Sequence, residues 1–565
     1  LLEFHRREQK PSWWAAINRQ TLTDDQLMED PECIGAMTRV MASNQTAHGV
    51  NGGVVYEYPE QEFKLKAGDR AVEIRPDQVK ENIQIFSIDE DKRRVEVGFR
   101  RGETPPQKMS ISVGKAIPAD ILTKAIYGFA DSVIQRRNDY PAVESILRRS
   151  VPKIISHPTG QPIAGGASDN LQTIIEAVAN LNDSSLFIQG PPGTGKTYTG
   201  SHIIAELVSR GFLVGVSSNS HKAINNLLAA IEKTAIAKKI RFQGLKKSTD
   251  DPATQFNGRL IQDVMSNPEI LESKADLVAG TAWLFARMNK VLDFLFVDEA
   301  GQVSLANLVA MGLSARNIVL LGDQMQLGQP IQGSHPGRSG ESTLEYLLDG
   351  TATITPERGI FLDTTWRMHR DLCGFISEAV YDSRLKAQIM NQNQTLLLDR
   401  SAHPCLKPTG LSFVPIDHEA CSQRSAEEAR LINEIIGSLL KQRYRDRDGQ
   451  EHALTLQNIM IVAPYNMQVN LLKRVLPQDA RVGTVDKFQG QESEVVIVSM
   501  TTSSGDYLPR RIEFLYSKNR LNVAISRART LAILVVNPQL LSINCNTIEQ
   551  MELVNTLCWA KGYGG

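Results

Sequence analysis

Apolar and polar positions keep three different rhythms along this chain. From Leu1 to about residue 50 the pattern is polar and mostly helical, with a basic–aromatic knot, HRREQKPSWW, near its start. Trp13 and Trp14 in that knot are suited either to stacking on a base or to stapling the segment onto a neighbour, the commoner use of such a pair. From Asn51 the rhythm becomes two-fold. GGVVYEYP, RAVEIR and IQIFSIDEDKRRVEVGFR alternate apolar and polar residues, with DEDK as a hairpin turn, so residues 51–115 are predicted to form a small antiparallel β-barrel module. PADILTKAIYGFADSVIQRR returns to helical spacing behind Pro118, and SHPTGQPIAGGASDN is a Pro/Gly-rich connector, giving a stalk helix and linker over 116–165.

The third rhythm fills the rest. Short apolar runs (SLFIQG, FLVGVSS, LVAGT, FLFVD, NIVLLGD) alternate with helical stretches, the signature of an α/β domain with a parallel sheet, here over 166–355. A polar, helical stretch over about 231–275 interrupts it and reads as an insertion. The rhythm resumes with GLSFVPI, NIMIVAPY, RVGTVD, EVVIVSM and LAILVV, a second α/β domain over 356–565. The predicted fold class is therefore α/β: two tandem parallel-sheet domains, preceded by a helical stalk and a small antiparallel β-barrel.

Composition adds exclusions. A hydrophobic fraction of 42% and a charged fraction of 22% are ordinary for a globular protein, and 565 residues suffice for several domains. Six scattered cysteines without Cys-x-x-Cys spacing argue against a disulfide framework, zinc site or iron–sulfur cluster and fit a reducing, cytoplasmic setting. With no apolar run of membrane-spanning length and no secretory signal, no membrane partner is expected. The chain opens on Leu1 rather than Met, so a fragment is one reading. At a net charge of -1, binding to nucleic acid would need its positive charge gathered in a groove.

Candidate chemistry begins at Gly190, Pro191, Pro192, Gly193, Thr194, Gly195, Lys196 and Thr197, which fit G-x-x-x-x-G-K-[ST] after an apolar strand and before a helix that opens with Tyr198. The glycines let backbone N–H groups close around phosphates, Lys196 reaches the β/γ-phosphates, and the Thr197 hydroxyl suits Mg²⁺. ATP or GTP binding follows. LDFLFVDEAGQ then ends an apolar strand in Asp298, placed for the metal shell, and Glu299, placed to orient or deprotonate water. Switches, protein remodellers and nucleic-acid motors all use these parts.

DEAGQ, LLGDQMQLGQP, WRMHR, VGTVDKFQGQE and RLNVAISRAR, in that order, resemble the motif series of superfamily 1 helicases, in the subgroup of the nonsense-mediated-decay helicase, senataxin and Dna-two type nuclease-helicases. The resemblance runs from about Asp169 to Asn537. It implies two RecA-like domains with ATP in the cleft between them and single-stranded nucleic acid across their top. By position it implies that Gln172 reads adenine, Gln326 senses the γ-phosphate beside Asp323, and Arg367 and Arg527 reach the triphosphate from the second domain. Glu492 falls at the ribose position and Gly490 near the γ-phosphate, with Arg529 structural. Where the family often has Gln-Tyr, this chain has Thr365 and Trp366, whose ring can stack on adenine while the glutamine's hydrogen bonding is lost. For the nucleic acid the resemblance implies Ser217, Asn219, Thr281, Pro464, Tyr465 and Thr484, with Trp283 divided between base stacking and the core. It implies 5′-to-3′ movement, and the opening LLEFHRREQKPSWW resembles the junction to an upstream RecB-like nuclease. The expectation is a monomeric ATP- and Mg²⁺-dependent helicase or translocase on single strands, DNA favoured over RNA. An RNA helicase and an ATP-gated clamp that does not unwind are the alternatives.

Overall fold

Alternation after residue 51 does produce a barrel, but the barrel begins earlier than the pattern predicts. The computed structural model describes residues 1–42, 51–61, 63–74, 79–90, 92–99, 104–114, 118–164, 171–488, 490–508 and 512–565. Strands β1 (Cys33–Ala42), β2 (Asn51–Glu57), β3 (Arg70–Ile74), β4 (Val79–Asp89), β5 (Arg94–Phe99) and β6 (Lys108–Val113) close an antiparallel barrel in the order β1-β2-β5-β4-β3-β6. Tyr56, Ile83, Ile85, Val95, Val97 and Ile111 fill it. β1 corrects the expectation of helix up to residue 50. Its pairing with β6 slips between Ile34 and Met37, and Ala36 has φ +54°, so a bulge destroys the two-fold period by which a strand is recognised.

The helix Phe4–Arg19 belongs to the same compact unit, Leu1–Asp120 with Ile331–Gly337. Arg19, nearly buried, donates to Asp30 and Glu32 at 2.7 Å each. Glu8 receives Gly333 N at 2.8 Å, Gln332 N at 3.1 Å and His335 Nε2 at 2.6 Å, which fastens the late segment Ile331–Gly337 to this helix. Trp13 and Trp14 are about half exposed, at 49% and 59%.

The second unit, Ile121–Pro330 with Arg338–Gly565, holds both α/β domains. In the first, β7 (Ser185–Gln189), β8 (Val214–Ser217), β9 (Gly244–Lys247), β10 (Ile261–Val264), β11 (Leu277–Gly280), β12 (Leu292–Val297), β13 (Ala315–Gly322) and β14 (Gly359–Phe361) form one sheet in the order β10-β9-β11-β8-β12-β13-β7-β14. Every pair in it is parallel. Both faces are covered, which is why its strands read as continuous apolar runs. Ile188, Val216, Phe294, Phe296, Val319 and Leu321 belong to its core. Two expectations change here. The stretch read as a helical insertion over 231–275 carries β9 and β10, which extend the sheet; GLKK and IQDV are too short and polar to show a strand period. The first sheet also takes β14, beyond the expected boundary at residue 355.

The chain then makes β15 (Thr364–Thr365), β16 (Lys386–Ala387), β17 (Thr395–Leu397), β18 (Gly410–Pro415), β19 (Arg443–Arg445), β20 (Glu451–Ala453), β21 (Ile459–Val462), β22 (Arg481–Gly483), β23 (Ser493–Ser499) and β24 (Ala528–Val536). Five of them form the second parallel sheet, β18-β24-β23-β21-β22, packed through Ile432, Ile436, Ile461, Ile497 and Ile533. The architecture is that of two tandem RecA-like domains. In such sheets ligands gather beyond the carboxyl ends of the strands, and the candidate residues follow those ends. No helix among the described residues is long and apolar enough to cross a membrane.

Candidate active site

The phosphate-type loop lies between β7 and the helix Lys196–Ser209. Gly193 at φ +76° and Gly195 at φ +84° take backbone conformations that favour glycine. Gly193 is held for a second reason: a Cβ there would stand 2.6 Å from both Arg367 Cβ and Thr365 Oγ1. Inside the loop Thr194 Oγ1 donates to the Pro191 carbonyl at 2.8 Å, and the Lys196 ammonium donates to the carbonyl of Gly190. Thr197 and Tyr198 are exposed on the first helical turn, the Tyr198 ring lying 4.1 Å from that of His202.

β12 delivers the carboxylates. Asp298 N donates to Ser217 O at 2.8 Å, which ties the end of β12 to that of β8, and Asp298 Oδ1 accepts from Glu299 N at 2.9 Å. Glu299 has φ +50°, an uncommon conformation for this residue, and remains partly exposed. Burial pushes the Asp298 carboxyl up to about 7; the charge of Glu299 adds to this, while the Glu299 N–H and Lys196 oppose it. Asp298, buried with Glu299 beside it, offers hard carboxylate oxygens of the kind that suit Mg²⁺, and Thr197, on the first turn after the loop, carries a hydroxyl of the same kind.

β13 ends in Gly322, and the next turn carries Asp323 and Gln326, both buried. Gln326 Nε2 donates to Asp323 Oδ2 at 2.9 Å. Burial raises the Asp323 carboxyl above its ordinary range, opposed by Lys196 and by hydrogen bonds from Tyr381, Gln326 and Met325 N.

The second α/β domain closes onto this loop. Trp366 N donates to Gly193 O at 2.8 Å and Thr365 Oγ1 to Pro192 O at 3.0 Å. These contacts carry Arg367 to the loop, where its Nε donates to Glu492 Oε2 at 2.6 Å and its Nη1 to Ser526 O at 3.0 Å. Arg527, between the helix Lys518–Ile525 and β24, reaches Gln326 Oε1 at 3.5 Å and Gln491 O at 3.4 Å. Burial lowers its guanidinium to about 10, with Arg367 adding to the depression and Glu299, Glu492 and Tyr381 opposing it. Lys196, Arg367 and Arg527 thus share one cleft with Asp298, Glu299 and Asp323.

The remaining nucleotide candidates lie around this centre. Glu492 also accepts from Arg529 Nε at 3.2 Å and from its Nη2, and Arg529 Nη1 donates to Glu494 at 2.8 Å. Glu492 is therefore spanned by two arginines, and Arg529 is fastened by carboxylates. Gly490 has φ +79° with open space where a Cβ would stand. The Trp366 ring is half exposed, at 48%, with Arg447 6.0 Å above it. Gln172, exposed on the helix Leu171–Ala179, donates to Glu176 at 2.8 Å.

The nucleic-acid candidates divide by depth. Ser217 ends β8 but is buried, and Tyr465 is buried with its ring 5.6 Å from that of Phe514. Neither side chain lies at the surface for a strand to touch. Asn219 is exposed, and Thr281, Pro464 and Thr484 are half-buried at the ends of β11, β21 and β22.

Two residues at the cleft escape the motif reading. Tyr381, fully buried behind the helix Arg370–Val380, donates to Asp323 Oδ2 at 2.6 Å. Asn522 Nδ2 donates to Tyr381 Oη at 2.9 Å and to Met325 O at 2.8 Å. Asn522 sits inside RLNVAISRAR, where only the arginines drew attention. Tyr381, in SEAVYDSRL, gives no signal beyond a core aromatic.

Two family models, each described as an AAA domain, match residues 168–339 and 340–539. Among curated proteins the chain is similar to the DNA replication ATP-dependent helicase/nuclease JHS1 of Arabidopsis thaliana, 27% identical over 399 residues, covering 66% of this chain and 28% of the relative. It is 26% identical over 414 residues to the DNA polymerase alpha-associated DNA helicase A of Schizosaccharomyces pombe, covering 60% and 59%. A Drosophila melanogaster regulator of nonsense transcripts 1 homolog is 26% identical over 456 residues, covering 71% and 36%. The chain spans less than two thirds of the length of each of these three relatives.

Proposed function

We propose that this chain, which belongs to the superfamily 1 helicases of the subgroup containing the nonsense-mediated-decay helicase and the Dna-two type nuclease-helicases, is an ATP-driven motor that moves 5′ to 3′ along single-stranded DNA. The observation that carries the reading is the shared cleft, in which Arg367 and Arg527 from the second domain meet the loop and carboxylates of the first. Guanidinium groups stabilise the charge that develops on a transferring phosphoryl group only while both domains are closed on it. Turnover then alternates with opening, and an alternating cleft can ratchet a strand held across both sheets.

Each role follows from position. The N–H groups of the Gly190–Gly195 loop and Lys196 bind the phosphates, and Gln172 and the exposed face of Trp366 take the adenine, with Tyr198 beside the loop. Thr197 and Asp298 would hold Mg²⁺, which would supply positive charge against the bound triphosphate. Glu299 accepts the proton of the attacking water, and Gln326 orients that water from its anchor on Asp323. Glu492, spanned by Arg367 and Arg529, sets Arg367 and offers its remaining lone pairs to the ribose, with Gly490 giving the backbone room near the γ-phosphate. Asn219, Thr281, Pro464 and Thr484 supply small polar or flat contacts at strand ends, which position a phosphate backbone without reading its sequence. DNA is preferred to RNA because two of the three relatives above are named as DNA enzymes.

Steady-state ATP hydrolysis tests the reading, measured at low salt with no nucleic acid, with single-stranded DNA and with single-stranded RNA of matched length. Stimulation by DNA alone is the expected result. Equal or greater stimulation by RNA moves the substrate to RNA, and no stimulation by either sinks the motor. A duplex with a 5′ or a 3′ single-stranded arm then reads direction, and separates unwinding from clamping.

A further inference from the structure

We propose that Tyr381 is a positioning residue for hydrolysis, its hydroxyl locking the amide of Gln326 in the orientation that faces the water and Arg527. The inference deepens the motor reading and rests on the cleft assigned there.

The geometry is a chain of hydrogen bonds between the two domains, running Asn522–Tyr381–Asp323–Gln326–Arg527. Asn522 Nδ2 donates to Tyr381 Oη at 2.9 Å, so the Tyr381 proton is directed elsewhere, and it goes to Asp323 Oδ2 at 2.6 Å. That same oxygen accepts Gln326 Nε2 at 2.9 Å. A carboxylate only accepts, so Asp323 must meet the NH₂ end of Gln326, which turns Oε1 outward, where Arg527 Nη2 stands at 3.5 Å. Arg527 and Asn522 leave the same short stretch of chain, around the end of the helix Lys518–Ile525. Asn522 also holds Met325 O at 2.8 Å, and Asn519 holds Gln324 O at 2.9 Å, so the two residues just before Gln326 are gripped from the second domain. Any shift of that helix moves Arg527 and the Tyr381–Asp323–Gln326 chain together. Tyr381 is fully buried and its hydroxyl bonds Asp323 and Asn522, so its action passes through Asp323 and Gln326.

Tyr381→Phe removes the oxygen and keeps the ring, which packs 6.4 Å from Phe361. With one of its three donors gone, Asp323 holds its charge less firmly, and Gln326 is free to flip. The expected result is a fall in kcat for ATP of about tenfold, with KM within about twofold and the melting midpoint unchanged. Asn522→Ala should lower kcat alike, and the double variant should be no slower than the slower single one, because both act on one chain of bonds. Unchanged kcat in Tyr381→Phe overturns the inference, as does a fall in kcat accompanied by equal losses in KM and melting midpoint, the mark of a packing role. Should Tyr381→Phe fail to fold, Asn522→Ala reads the same quantity and decides by the same criteria. If the wild-type protein hydrolyses ATP without strand stimulation, the motor reading falls while the kcat comparison on basal hydrolysis still judges Tyr381.

Discussion

Replacing Arg527 with methionine should stop turnover and leave the fold as stable as before, or more so. The side chain is 3% exposed, yet its hydrogen bonds are poor: 3.5 Å to Gln326 Oε1, 3.4 Å to Gln491 O, and none at Nε. Contacts that long contribute well under ~1 kcal/mol each. Against them stands the burial of a charge, which lowers the guanidinium from its ordinary value to about 10. At 1.36 kcal/mol per pH unit, that is roughly 3 kcal/mol against the charged form. For a base whose folded value is depressed, the penalty is fully present below pH 10 and is relieved as pH rises from there towards the ordinary guanidinium value, so at neutral pH the native protein bears all of it. Methionine fills similar space without charge, and such replacements are neutral or stabilising by ~1–4 kcal/mol. The expected change in melting midpoint is therefore zero to about +4 °C, with strand-stimulated kcat down by on the order of 10³. Arg529→Ala is the contrasting control. It strands the buried Glu494 carboxylate and should lower stability by about 2–4 kcal/mol with a far smaller effect on kcat. Thermal denaturation followed by tryptophan fluorescence, paired with the hydrolysis assay, reads both quantities. A midpoint lowered by more than about 3 °C in Arg527→Met, or turnover retained, would refute the assignment of Arg527 as a functional charge held at structural expense.

Lys196→Ala should weaken triphosphate binding by at least about a hundredfold, read by titration with a fluorescent nucleotide. Glu299→Gln should bind nucleotide within about twofold of the wild type while losing ~10²–10⁴ in turnover; dissociation from a labelled single strand in the presence of ATP should slow, and unchanged turnover would show that another group takes the proton. In the N-terminal unit, Arg19→Leu leaves Asp30 and Glu32 without their shared partner, and because both carboxylates are partly exposed the expected loss is about 1–3 kcal/mol, seen as an earlier melting transition with basal ATP hydrolysis unchanged.

The ATP-binding side of this protein is legible in its sequence because each part is local. A buried strand must end somewhere, and the residue types just past its end show what is held there: glycines, Lys196 and Thr197 after β7, two carboxylates after β12, Asp323 and Gln326 after β13. What stays hidden depends on pairings that no short window contains. β1 is masked by its own bulge at Ala36, which breaks the alternation that defines a strand. β9 and β10 are four residues each and qualify as strands only because β11 offers an edge to β9, and β9 in turn to β10. Ser217 and Tyr465 have the right residue types at strand ends but lie too deep, and depth is set by neighbours rather than by motif.

Tyr381 shows the same limit at the centre of the chemistry. Its bond to Asp323 joins residues 58 positions apart and its bond to Asn522 residues 141 apart. A motif is a pattern of groups that touch a ligand, so it records the arginines of RLNVAISRAR and passes over the asparagine between them. The groups that hold those ligand contacts in register across the cleft, Tyr381 and Asn522, bond each other, Asp323 and a backbone carbonyl instead. In the proposed motor these are the positions that link hydrolysis to movement, and three-dimensional pairing is what identifies them.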